Sequence, residues 1–322
     1  MFLILKESNM GFTNFPNGVT SFGVPLFGSS GSGIVTGNVF FVDSGHDLAA
    51  DAGNAGQRNQ PFATVDFAVG QCTANNGDVI YVLPGHAETL SAADAIDIDV
   101  ASVSVIGIGN GTDRPTFTYD NAAGEIVIGA DNVLVENIVC NASVTTVLIG
   151  ISIEDGVDYA TIRNCQFGVD ATGTDEFNAT IHIANNNTGT VIENCIIDNG
   201  IGAAVAGIHM DADTAMTTIR GNIIRGDYST ANIVGDTTLS TNVLIQGNIL
   251  ENGIGGNLNA QPGIELLTAT TGTIANNYIV CDLSTKAASV VADTCLLFEN
   301  YYNEDISGAA TGGIIGAASA DD

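Results

Sequence analysis

From about residue 100 the chain repeats one short pattern every 24 to 30 residues, and no other feature restricts its fold as strongly. Each repeat has an apolar anchor, one variable residue, Asn or Gly, and then a mixed strand. It reads VIGIGN at 105, VENIVC at 135, IRNCQF at 162, IENCII at 192, IRGNII at 219, IQGNIL at 245, IANNYI at 274 and FENYYN at 298. The anchors are Val105, Val135, Ile162, Ile192, Ile219, Ile245, Ile274 and Phe298. Intervals of this size are those of β-solenoid coils, each of which buries its apolar face against its neighbours. A further strand precedes several anchors: ISI at 151, IHI at 181, IHM at 208 and IEL at 264. Ile153, Ile183 and Met210 each fall nine positions before their anchor, so the spacing persists where the residues change. The pattern predicts an all-β chain wound as a parallel β-helix.

Aligning the coils sorts the residues into columns. Two positions past the anchors stand Gly107, Asn137, Asn164, Asn194, Gly221, Gly247, Asn276 and Asn300. Asn and Gly best tolerate a left-handed backbone, so this column predicts a tight turn in each coil. One position further, Asn222, Asn248 and Asn277 predict an amide ladder, with Cys165 and Cys195 as small apolar fillers above it. The position after the anchor reads Glu136, Arg163, Glu193, Arg220, Gln246. Opposite charges stacked on adjacent strands are favourable, so this is an outward ladder of ion pairs. Segments 168–180, 198–206, 225–241 and 251–263 read as insertions along one side, the place where solenoids meet partners.

Composition agrees with short strands and many turns. Hydrophobic residues make up 45% of the chain, with 39 Gly and no Trp. The formal net charge is -29, which disfavours nucleic acid and anionic membranes as partners. None of the six cysteines lies in a CxxC or near a His at ligand spacing, so they read as reduced thiols rather than a zinc site. Residues 2–5 are apolar but stop at Lys6, too short for a signal core or a membrane span. Synthesis in a host cytoplasm follows as an expectation, with Met10 an alternative start.

Three regions are expected: an arm over 1–38, the solenoid with its cap over 39–303, and a tail over 304–322. The arm mixes Phe and Pro with turn formers, which suits an extended segment that docks on another protein. Phe12, Phe15, Pro16, Phe22 and Pro25 are its candidate anchoring contacts. After it come a strand at Val39–Val42, a polar loop, an amphipathic helix from about Pro61 to Gln71 and a strand over 78–83.

The run FFVDSG…PFATVDFAVGQCTANNGDVIYVLPGHAETL resembles the opening of the pectin-lyase-like superfamily of right-handed β-helices. The resemblance implies that winding, with the short helix capping the N-terminal end. The arm TNFPNGVTSFGVP (residues 13–25) and the first coil resemble β-helix proteins encoded near the head genes of tailed bacteriophages. That likeness implies a non-enzymatic virion protein decorating the capsid surface. Its expected partners are copies of itself, as a homotrimer, and the major capsid protein or another head protein, with no cofactor.

The alternative is a tailspike-type receptor-binding protein that depolymerises a host surface glycan. A hydrolase needs carboxylates facing one sugar, and Glu154, Asp211 and Asp213 are the candidates, each just past a coil strand. His182 and His209 share one register, with Asp211 and Asp213 close by. They could hold a transition metal, or be stacked by register alone.

Overall fold

The computed structural model describes residues 37–169, 175–201, 204–235, 240–253, 261–266, 269–281, 290–292 and 294–303, with strands at Thr20–Ser21, Val24–Pro25 and Gly312–Ile315. The chain divides into two units, Met1–Thr36 and Gly37–Asp322. In the first, Thr20–Ser21 pairs antiparallel with Val24–Pro25. Pro25 lies in that pairing; Phe12, Phe15, Pro16 and Phe22 fall outside the described residues.

The second unit is a right-handed parallel β-helix with three sheets running along the stack. The first sheet begins at Val39–Val42 and Val79–Val82 and continues through the anchor strands to Leu296–Phe298. The second runs from Ala87–Leu90 to Asn300–Asn303, where Gly312–Ile315 adds an antiparallel edge. The third runs from Ile96–Ile98 through Val147–Ile153, Phe177–Ile183, Ala204–Met210 and Tyr228–Gly235 to Val290–Val291. Among the described residues no helix is long and apolar enough to cross a membrane.

Parallel pairing in strict register puts like residues on like. Val105, Val135, Ile162, Ile192, Ile219, Ile245 and Ile274 pair in sequence, and all are buried. Each buried aliphatic side chain of this size is worth about 1.5–3 kcal/mol. The anchors extend upward to Ile80 and Phe40. On the outer side, Arg163 bonds Glu136 at 2.8 Å, and Arg220 Nε bonds Glu193 at 2.7 Å, as the charge column implied.

The amide ladder forms and is one rung longer than expected. The Asn222 N–H donates to Asn248 Oδ1 (2.9 Å), Asn248 N–H to Asn277 Oδ1 (2.9 Å), and Asn277 N–H to Asn300 Oδ1 (3.1 Å). Above them, Cys195 N–H donates to Asn222 Oδ1 at 2.9 Å. Each amide also donates back to a carbonyl of the preceding coil: Ile192, Ile219, Ile245 and Ile274. The four amides are fully buried, so the ladder satisfies groups that water cannot reach.

Three sequence assignments shift. The last anchor is Leu297, not Phe298: Leu297 pairs with Ile274 and Phe298 with Ala275. Glu299 therefore takes the left-handed position (φ 47°), and Asn300 moves into the ladder. Its amide gains two buried partners there, which outweighs placing a non-Gly, non-Asn residue in the turn. Asn137, Asn164, Asn194, Gly221, Gly247 and Asn276 do turn left-handed, with φ between 55° and 66°. Gly107 does not; it sits in the strand Ser104–Gly107, where a Cβ would collide with the Asn137 carbonyl. Finally, the expected insertions 168–180, 198–206 and 225–241 run into rungs of the third sheet, Phe177–Ile183, Ala204–Met210 and Tyr228–Gly235, the last with buried Tyr228, Ala231, Ile233 and Val234.

The cap helix spans Val65–Val69, shorter than the sequence pattern. Phe62 cannot join it because its N–H donates to Phe41 O and its carbonyl accepts from Asp43 N, as in a strand. Thr64 is the N-cap, accepting from Phe67 N–H at 3.3 Å. Phe62, Val65, Ala68 and Val69 are buried over the N-terminal end of the core. Two buried polar groups brace this end. Asp78 accepts from the N–H groups of Asn38 and Thr73 and from the side chain of Asn76. Burial pushes its carboxyl up, but those bonds outweigh burial and hold it below the usual aspartate range. His86 accepts from Ser44 N–H through Nδ1 and donates through Nε2 to Glu88, which also accepts from Val65 N–H.

The six cysteines are free thiols, with Cys140, Cys165, Cys195 and Cys281 buried. Asn248→Ala removes the acceptor of a buried N–H and is expected to cost about 2–3 kcal/mol in denaturant unfolding. Gln246→Ala, exposed on the same coil, is expected to cost under about 0.5 kcal/mol. Equal losses for the two would deny the ladder its role.

Candidate functional site on the outer face of the third sheet

Strand alternation sends every second residue of the third sheet outward, and strict pairing turns those residues into columns. One column reads Asp97, Val127, Ser152, His182, His209, Val234, Glu265. The flanking Ile181, Ile183, Ile208 and Met210 point inward and are fully buried. Two positions on, Gly129, Glu154, Ala184 and Asp211 form the next outward column. Each is fixed by its N–H donating to the previous coil: to Ile98, Ile128, Ile153 and Ile183 respectively.

This geometry brings His182, His209 and Asp211 together. The two imidazoles lie on adjacent rungs with ring centroids 5.4 Å apart and planes inclined by 58°. His182 Nε2 is 3.2 Å from Asp211 Oδ2, and His209 Nε2 is 3.9 Å from Asp211 Oδ1. Each histidine side chain is only 18% exposed, so the cluster is recessed rather than free on the surface. The Nδ1 of His182 is buried without a hydrogen-bond partner. Each of the three residues can offer one ligand atom to a metal, and those atoms lie within 4.8 Å of one another.

Of the other carboxylates weighed for catalysis, Glu154 stands apart from this cluster. Glu154 is exposed, two rungs before Asp211 and about 10 Å along the stack, with Ala184 between. Asp213 sits in an exposed turn with φ 58°.

A second group of acids occupies the upper part of the same face. Burial raises the Asp97 carboxyl above the usual range, and Asp99, Glu154, Asp94 and Asp66 add to the shift. Burial also raises Glu125, with Asp94 and Glu154 reinforcing and a Ser152 hydrogen bond opposing. Sequence reading missed Asp97 and Glu125, because only the pairing of the coils shows which residues they adjoin.

The arginines are used elsewhere. Arg163 and Arg220 hold the outer ladder of the first sheet. Arg225 lies between Glu251 (2.9 Å) and Asp198 (3.6 Å) on the second. Arg114 donates to the carbonyls of Ile138 and Asn164 and to Gln166. Among the described residues, none of the third-sheet columns above carries an arginine, a Phe or a Tyr, the parts that a lyase base and a sugar platform would need.

No protein-family model matches the chain. No curated protein sequence matches it either. Among solved structures, a rhamnogalacturonan lyase is similar over 86% of this chain and 79% of its own, at 14% identity and a TM-score of 0.48. At that level the likeness bears on neither activity nor ligand.

The carboxylate pile-up has a measurable sign. A carboxyl whose pKa is raised by folding contributes stability below its ordinary value of 3.8, and that contribution is lost as pH rises through the folded pKa. Asp97→Asn is therefore expected to raise the melting temperature at neutral pH, with the gain vanishing in acid below 3.8. A gain equal at every pH would assign the effect to packing instead of charge.

Proposed function

We propose that this chain is a non-enzymatic structural protein of a tailed-bacteriophage particle. It assembles with copies of itself as a symmetric oligomer, a homotrimer, on the capsid surface. The observation that carries the reading is an apolar column on the outside of the second sheet. Ile196, Ile223, Ile249, Tyr278 and Tyr301 pair in sequence there. Ile196, Ile249 and Tyr278 are 44%, 47% and 55% exposed, and the Tyr278 and Tyr301 rings stack at 5.0 Å. The column runs for about 20 Å along the stack.

Contiguous exposed apolar surface of this kind marks a contact with another macromolecule. The chain carries a net charge of -29, so two copies repel wherever their acidic faces meet. The apolar column is uncharged, and beside it Arg225 offsets part of the charge of Asp198 and Glu251. It is the surface on which like copies approach at least electrostatic cost, and closed symmetry is the usual outcome for such contacts. The virion setting is supported by the resemblance of residues 13–25 and the first coil to phage head-associated β-helix proteins. In this reading Phe12, Phe15, Pro16, Phe22 and Pro25 anchor the protein to the major capsid protein or another head protein.

The Ile196→Lys, Ile249→Lys pair is expected to convert an oligomer to a monomer in sedimentation equilibrium, with an unchanged far-ultraviolet spectrum. A monomeric parent protein, or an unaffected oligomer, would remove the column from the interface. Deleting residues 10–30 is expected to abolish attachment to heads while the solenoid stays folded. Full occupancy by the truncated protein would place the anchor elsewhere, and turnover of host polysaccharide by the intact protein would replace the structural reading with the depolymerase one.

A further inference from the structure

We propose that His182, His209 and Asp211 form a binding site for one divalent first-row transition-metal ion, zinc being the best fit, which clips two neighbouring coils together. The inference does not rest on a virion role. Two imidazoles and one carboxylate are borderline and hard donors, the set that zinc and its neighbours take in preference to calcium or magnesium.

The spacing suits such an ion. Zinc bonds to nitrogen and oxygen of about 2.0–2.2 Å set ligand atoms about 3.3–3.5 Å apart in a tetrahedron. The two imidazole–carboxylate separations are 3.2 and 3.9 Å, and the three ligand atoms all lie within 4.8 Å. Closing round an ion therefore needs only small side-chain rotations, with water completing the shell. The backbone is already fixed: the histidines sit inside seven-residue strands paired in register, and Asp211 N–H is held by Ile183 O at 2.8 Å.

Two surroundings favour an ion. One rung below His209, Val234 is fully buried in a small apolar cluster with Ala206 and Ala231, which shelters the site from water on that side. Up the same face lie Glu154, Asp97, Asp99 and Asp94; burial chiefly, and then these neighbouring acids, raise the Asp97 carboxyl. Their field concentrates cations at this face.

Stacking by register with Asp211 balancing the imidazoles is the competing account, and it predicts no metal binding. Full-length protein stripped with a chelator would be titrated with cobalt(II) and followed by visible absorption, then with zinc by calorimetry. One equivalent is expected, displaced by zinc and retained against millimolar calcium, with a higher melting temperature in zinc. His182→Ala and Asp211→Asn are each expected to weaken zinc at least about tenfold and to abolish the thermal gain. His209→Gln, closer to the parent ring in volume and polarity, serves should the alanine variant fail to fold. Absence of saturable binding overturns the proposal. So do displacement by calcium, unaltered affinity in folded variants, or a cobalt–thiolate charge-transfer band that would put the ion on the free cysteines.

Discussion

The hydrogen bonds between successive coils govern everything else in this molecule. They run parallel and in register, so residues at equal positions of adjacent coils lie about 4.8 Å apart, whatever they are. A residue in one coil is thereby obliged to tolerate its counterpart above and below. Isoleucine on isoleucine satisfies this inside, because β-branched side chains of one shape pack without gaps. Glutamate alternating with arginine satisfies it outside. Asparagine satisfies it in the turn, where each amide is acceptor to one coil and donor to another. The ladder thus meets the demand that a buried polar group find partners, and it does so by the same periodicity that creates the demand.

A stack of this kind has two open ends, and unpaired strand edges invite association. At the N-terminal end a one-turn helix supplies apolar cover, while Asp78 and His86 gather backbone donors that no further coil is present to take. At the other end the antiparallel strand Gly312–Ile315 covers the edge of the second sheet. The two solutions differ because the first must close a cross-section and the second extends one sheet.

The outer faces differ as sharply as the ends. The second sheet carries an uncharged, partly exposed apolar column flanked by Arg225 and its two carboxylates. The third carries clustered carboxylates leading to a recessed pair of imidazoles, the chemistry of a surface that attracts cations. The arginine and the stacked tyrosines lie on the second sheet, with Arg225 between Asp198 and Glu251, while the larger acidic cluster lies on the third.

The solenoid was legible from the chain alone, because a coil's length and its apolar anchor are set by local periodicity. Val105 to Ile274, the Asn turns and the stacking of His182 on His209 could all be read by counting. What counting could not settle were positions where a long-range partner competes with the local pattern. Phe298 looks like an anchor, yet Leu297 takes the place because Asn300 gains two buried partners in the ladder. Gly107 looks like a turn residue but is there to let the Asn137 carbonyl approach. Pro61 and Phe62 look helical until the first strand claims Phe62. The strand Tyr228–Gly235 breaks the expected coil length, so only its pairing with the rungs on either side defines it. The sequence by itself determined that coils stack and which residues mark their turns, because both depend on near neighbours in the chain. Only the tertiary structure decided that Asp211 reaches His182 and that Asp97 meets Asp66 and Glu154, because those contacts join residues that lie far apart in the chain.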